Sequence, residues 1–228
     1  MTLMRTFAIS VAFVFLASTA APAVAGPPAG VGSVEPADKK RSLAVQARAG
    51  TPTDRIRSGV DQVVRILADQ AAAAPQRRAA IRGVAEGMFD YREIARRALG
   101  RHWPGLRQQE REEFVSLFAR LLERAYISEL ERYNGERIAY AGESVQGGVA
   151  TVMTRVKTRD GADLRIDYRM ARAGDRWRVA DVVVEGVSMT ANYRSQFDKV
   201  IETSSFEELL RRMRTSAATS RVAERPGS

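Results

Sequence analysis

From Thr53 to Tyr126 the apolar residues recur at helical spacing, and from Arg137 to Ser188 the period falls to two. Thr53 or Asp54 can cap a first helix whose Ile56, Val60, Val63, Val64 and Leu67 share one face. Pro75 suits the first position of a second helix, carrying Ile81, Val84 and Met88. Asp90 with Glu93 forms a capping box that opens a short helix through Ile94, Ala98 and Leu99, and Gly100 ends it. After a Trp103-Pro104-Gly105 turn comes the longest amphipathic run, with Phe114, Leu117, Phe118, Leu121, Leu122, Ala125 and Tyr126 on one face. Asn134-Gly135 stops it.

The period of two then predicts strands over Arg137–Val145, Val149–Thr158, Leu164–Ala171 and Trp177–Ser188, with turns at Gly147-Gly148, Asp160-Gly161 and Gly174-Asp175. Connections this short join only antiparallel neighbours, so the strands form a four-stranded meander. In the third strand Leu164, Ile166, Tyr168 and Met170 face inward, while Arg165, Asp167 and Arg169 face water. In the fourth, Asp181 and Glu185 flank Val182, Val183 and Val184, which implies a bulge or burial on both faces. Helical spacing returns at Tyr193, Phe197, Val200 and Ile201. Ser204 with Glu207, or Ser205 with Glu208, caps a last helix bearing Phe206, Leu209, Leu210 and Met213. Helices beside an antiparallel sheet make an α+β fold.

The first twenty-five residues stand apart. Arg5 precedes a nearly unbroken apolar core from Thr6 to Thr19, and Ala23-Val24-Ala25 forms a small-residue cleavage site before Gly26. That is the pattern of a secretory signal peptide over residues 1–25. Residues 26–52, rich in Pro, Gly and Ala, read as a flexible linker, residues 215–228 as a disordered tail, and 53–214 as the folded domain. Export removes the interest of the +9 net charge for nucleic acid, which an exported chain does not meet. Of the 36 basic residues only Lys39, Lys40, Lys157 and Lys199 are lysines, an arginine bias of the kind coding preference produces.

Composition also removes chemistry. With no cysteine there is no disulfide scaffold, thiolate nucleophile or Cys-ligated metal, and a single histidine, His102, cannot build a metal centre. No cofactor motif is present, since the glycines follow neither a P-loop nor a dinucleotide pattern. Ser188 lacks a nucleophile elbow and a histidine partner. Asp181 and Glu185 are the one acidic pair in an apolar setting, where raised pKa values serve acid–base work; an exported hydrolase would have to use them. The competing reading is structural, a hydrogen-bonded pair or a salt bridge to arginine that secures the bulge. No catalytic constellation assembles, and the residues alone indicate an exported α+β binding module rather than an enzyme.

Longer stretches resemble a known family. Gln109-Glu110-Arg111-Glu112-Glu113-Phe114, running through Phe118 and Tyr126 to Tyr133-Asn134-Gly135, is similar to the central helix of the MlaC proteins, also called the toluene-tolerance auxiliary family. Asp167-Tyr168-Arg169, the run from Trp177 to Met189, Asn192-Tyr193-Arg194-Ser195-Gln196-Phe197 and Phe206-Glu207-Glu208-Leu209-Leu210 extend the likeness over about residues 55–214. The resemblance implies a periplasmic carrier that moves phospholipid between the outer membrane and an inner-membrane ABC transporter complex with its substrate-binding ring. An outer-membrane lipoprotein–porin complex is the implied partner at the other membrane. Some similar proteins accompany hopanoid synthesis, which makes a triterpenoid the alternative ligand. Acyl chains would lie in an apolar cavity between sheet and helices, lined by Phe118, Leu122, Tyr126, Val152, Val156, Ile166, Tyr168, Val183 and Val187.

The leader yields a direct test. N-terminal sequencing of periplasmic material should begin at or near Gly26; an intact Met1 in the membrane pellet would remove the signal-peptide reading.

Overall fold

The computed structural model describes residues 50–223 apart from 132, 134, 159 and 160, and all of its elements lie in the unit that begins at Pro52. The expected signal peptide, linker residues 26–49 and residues 224–228 lie outside the described residues. Four helices come first: α1 (Pro52–Ala68), α2 (Ala74–Met88), α3 (Tyr91–Leu99) and α4 (Gln108–Leu130), with a 3₁₀ turn at Gly100–Gly105 before α4. Five strands come next, β1 (Arg137–Gln146), β2 (Val149–Lys157), β3 (Asp163–Ala173), β4 (Arg176–Val184) and β5 (Val187–Ser188). Helices α5 (Met189–Thr203) and α6 (Phe206–Ala223) close the chain. The sheet is antiparallel throughout, and its strands neighbour one another in sequence order.

The capping signals work largely as read. Asp90 accepts the Glu93 amide at 3.0 Å, and Gly100, at φ 49°, ends α3. Of the two possible caps for α6, Ser205 is the one used, accepting the Glu208 amide at 3.1 Å. At α1 the cap comes from elsewhere. The helix begins at Pro52, and the Glu143 carboxylate on β1 accepts both the Thr53 amide (3.0 Å) and its hydroxyl (2.6 Å). An acidic group at a helix N-terminus also complements its dipole, so this contact docks α1 onto the sheet. Gly59 then lets α2 approach: a Cβ there would fall 1.8 Å from the Met88 sulfur. At the far end, α6 stays helical through Ala223, past the expected boundary at 215, and Arg124 on α4 binds the Ser216 carbonyl and hydroxyl.

Two corrections concern the sheet. It has five strands, not four, because Glu185-Gly186 breaks the expected Trp177–Ser188 strand into a hairpin. Both residues have positive φ (49° and 82°), as the tightest hairpin turns require. The second correction is Asp167, expected to face water but 8% exposed, with the Arg165 guanidinium forked onto its carboxylate at 2.7 and 3.1 Å. Of the bulge or two-sided burial expected for the fourth strand, a bulge is present. Arg169 pairs with Asp181 but Met170 pairs with Val179, which leaves Ala180 without a counterpart.

Asp181, 1% exposed, ties the bulge to β5 and α5. Its carboxylate accepts the Ser188 hydroxyl (2.6 Å), the Thr190 amide (3.0 Å) and Arg169 (3.3 Å), while Ser188 itself caps α5 by accepting the Ala191 amide at 3.1 Å. Strand β4, the short β5 and the start of α5 are therefore fixed by one group.

Hydrophobic residues gather in two clusters. The first is helical. Phe114, Phe118, Tyr193 and Phe197 form an aromatic group with ring centroids 4.9–5.6 Å apart, joined by residues of α3 and α6. The second lies on the sheet beneath α1 and α2, where Ile56 and Met88 meet Ala150, Val152, Met170, Trp177 and Val179. Phe89 packs against both.

Replacing a charged acceptor by an amide leaves at least one of three donors poorly matched. Asp181→Asn should therefore cost about 1–3 kcal/mol. Glu185→Gln, at an exposed turn, should stay within about 0.5 kcal/mol. Urea midpoints measure both, and an unchanged midpoint for Asp181→Asn would refute the role given to this carboxylate.

Candidate functional site

Register decides which side chains share a surface, because partners across a ladder point the same way. Ile138 pairs with Val156, and Val156 with Leu164. Tyr140 pairs with Thr154, Thr154 with Ile166, and Ile166 with Val184. Val152 pairs with Tyr168, and Tyr168 with Val182. One face of the sheet is thus largely apolar, with Thr154 and Glu143 (opposite Val152) set into it, and its two ends differ. Around Met170 and Val179 it is sealed by α1 and α2. Toward the start of β3, Ile138, Val156, Ile166 and Val184 are only half-buried and belong to neither hydrophobic cluster.

This strip is apolar with a few polar atoms beside it. Thr154 satisfies its own hydroxyl on the Ile166 carbonyl at 2.8 Å. The phenols of Tyr140 and Tyr168 stand where the strip meets the packed cluster, and the Arg57 guanidinium lies 4.7 Å from the centre of the Tyr140 ring.

The nine expected lining residues fall into separate places. Val156 and Ile166 lie on the strip, with Tyr168 at its margin. Val152 is fully buried under α1. Phe118 and Leu122 are packed into the helical cluster, and Tyr126 rests against it. Val183 pairs with Asp167 and Ser188 and so occupies the opposite face. Val187, in β5, pairs with Val184 and so continues the face of the strip, but it is 61% exposed. Central helix and sheet therefore do not present these residues as one surface. Ile138, Tyr140 and Val184 belong with the strip although the lining set omitted them; the alternation of β1 carried the signal for the first two.

The acidic pair does not assemble. Asp181 is committed to Ser188, Thr190 and Arg169, whereas Glu185 sits on the exposed turn, where its carboxylate accepts the Arg165 amide and its own amide donates to the Arg165 carbonyl at 3.0 Å. The structural reading of both residues is the one this geometry matches. His102 is likewise held, with its Nε2 2.7 Å from Asp198. Among the described residues no group of three acidic, histidine or cysteine side chains could hold a metal, and no helix is long and apolar enough to cross a membrane.

The family model described as MlaC protein matches residues 57–215. The chain belongs to the MlaC family. A curated relative, the intermembrane phospholipid transport system binding protein MlaC of Haemophilus influenzae, is 24% identical over 127 residues, 54% of this chain and 59% of the relative. The chain thus spans somewhat under two thirds of that relative's length. A solved phospholipid-binding protein from Ralstonia solanacearum, in complex with a phospholipid, superimposes with a TM-score of 0.67 at 20% identity, covering 75% of this chain and 98% of the other. That likeness establishes a shared fold.

Burial leaves a titratable signature on this MlaC-family chain. All six tyrosines are shifted upward, and in every case removal from water is the first cause. Tyr91, Tyr168 and Tyr193 are pushed up to about 12, and Tyr126 further still, with the Tyr193 phenol and the Asp181 carboxylate adding to the effect. A phenol whose folded pKa exceeds its unfolded one stabilises the fold fully below the unfolded value near 10, and that contribution is lost as pH rises through the folded value near 12. Spectrophotometric titration at the phenolate band should therefore show far less ionisation of the native chain at pH 10 than of the urea-unfolded chain. Coincident curves would show that the phenols are not buried.

Proposed function

We propose that this chain is a periplasmic phospholipid-binding protein, a carrier rather than an enzyme, that moves lipid between the outer membrane and an inner-membrane ABC transporter. The observation that carries this reading is the apolar strip of Ile138, Val156, Ile166 and Val184, half-buried and outside both cores. Family membership and the phospholipid named for the relatives support it. Apolar surface left half-covered on a sheet face is what an acyl chain would cover.

The energetics favour an enclosed route. Each methylene removed from water gains about 0.8 kcal/mol, so two acyl chains of roughly thirty methylenes represent on the order of 24 kcal/mol. Free lipid monomer is negligible on that scale, and a carrier must shield the tails wherever no membrane does. In this reading Val156, Ile166 and Tyr168, with Ile138 and Val184, contact the tails. The ABC transporter with its substrate-binding ring and the outer-membrane lipoprotein–porin complex are the partners at the two ends of the route. The expected signal peptide supplies the export that this role needs.

Two measurements test the proposal. Organic extraction of the purified chain followed by lipid mass spectrometry should return phospholipid in stoichiometric amount; a triterpenoid would identify the chain as a hopanoid carrier, and an empty chain would defeat the carrier reading. Ile166→Trp fills the strip instead of a packed core, where added bulk typically costs about 1–3 kcal/mol. It should unfold close to the wild-type denaturant midpoint when both are stripped of lipid, yet retain markedly less lipid on purification. Lower stability with undiminished lipid would return Ile166 to ordinary core.

A further inference from the structure

Five buried side-chain atoms have no hydrogen-bond partner among the described residues, and three of them are Arg55 Nε on α1 and Arg172 Nη2 and Trp177 Nε1 on the β3–β4 hairpin, whose Arg176 and Arg178 are near enough to Arg55 to act on its charge. All three are donors. Arg172 and Trp177 are opposite each other in register, and the guanidinium carbon lies 5.0 Å from the centre of the indole ring. Arg55 reaches the Gly87 carbonyl, and Arg178, next to Trp177, donates to the Phe89 and Glu86 carbonyls at 3.2 and 3.3 Å. Burial, followed by the charges of Arg178 and Arg176, lowers the Arg55 pKa. Against these four guanidiniums stands one ion pair, Arg176 with Asp175 at 3.9 Å on the exposed turn; Arg55, Arg172 and Arg178 have none among the described residues.

Buried donors without acceptors are costly, and like charges gathered around them add to the cost. Water could accept from the donors but would not offset the charge. An oxyanion does both, and a tetrahedral phosphate has enough oxygens to meet an indole N–H and two guanidinium forks together. We propose that Arg55, Arg172 and Trp177, with Arg176 and Arg178 around them, form a phosphate-binding site. The phosphate is either that of a membrane-lipid headgroup or free inorganic phosphate. Arg172 lies six residues along β3 from Ile166, about 20 Å at strand spacing, with the packed residues around Met170 and Val179 between them. The site is therefore separate from the apolar strip and stands whether or not the chain carries lipid.

The indole N–H resonance of Trp177 reports on the site directly. Titrating the full-length chain with inorganic phosphate should move that resonance saturably, beyond any movement in chloride at equal ionic strength. Arg172→Gln should weaken the apparent affinity about tenfold or more, since it removes charge-assisted hydrogen bonds. Arg55→Gln, on a different element, should do the same and covers the case in which the first variant misfolds. Phosphatidylglycerol vesicles separate the two sources. Vesicle binding that added phosphate reverses identifies a lipid headgroup as the ligand; a phosphate-dependent shift without vesicle binding identifies free phosphate. A Trp177 resonance that responds no more to phosphate than to chloride overturns the proposal. Wild-type phosphate affinity in folded Arg172→Gln and Arg55→Gln overturns it as well.

Discussion

The Asp181 carboxylate is buried with three donors pointed at it, from β5, the start of α5 and β3. A charge in that position is tolerated only because it is fully hydrogen-bonded, and hydrogen bonds to an ionised group are worth more than neutral ones. The chain direction after the sheet depends on it. The bulge at Ala180 turns Asp181 toward Arg169, the Glu185-Gly186 hairpin brings Ser188 back beside it, and Ser188 caps the helix carrying Tyr193 and Phe197 into the helical core. An acidic group that the sequence alone offered as half of a catalytic pair is the joint between sheet and helices.

The division into two cores rests on that joint. One core is made of helices around an aromatic group, and the other is a sheet face roofed by α1 and α2. The roof is held at α1 by Glu143 and at the end of α2 by arginines binding its last carbonyls, a favourable place for positive charge. It covers only part of the face, and the half-buried remainder is the strip to which the carrier reading is attached. The boundary falls within a single strand: Met170 lies under the roof and Ile166 beyond it, four residues apart on β3.

Most of the arginine excess lies on the surface. Arg96 and Arg97 bracket Glu93, and Arg211 and Arg212 hold the Glu208 carboxyl down to about 2, all within single helices. Exposed pairs of this kind contribute little to stability. Arg172 and Arg178 at the β3–β4 hairpin differ because they are half-buried, and the turn's Asp175 pairs with the exposed Arg176 instead.

Local signals were legible wherever a few adjacent residues decide the outcome. Asp90 with Glu93, Ser205 with Glu208 and the period-two runs through β1 to β4 act over one turn or one strand, so the α+β class and the strand order could be read from the chain. The Glu185-Gly186 hairpin was harder, since Glu has no intrinsic preference for positive φ and is held there by the ladder it closes with Arg165. The lining residues were harder still. Alternation tells which residues of one strand share a face, but not which partner covers that face or how far a helix extends across it. Phe118 and Ile166 each belong to an apolar face in sequence, the first with Phe114 and Leu122 at helical spacing and the second with Leu164 and Tyr168 at strand spacing. Only the placement of α3, α5 and α6 around the one, and the limited reach of α1 and α2 over the other, made the first a core residue and left the second at a half-covered surface.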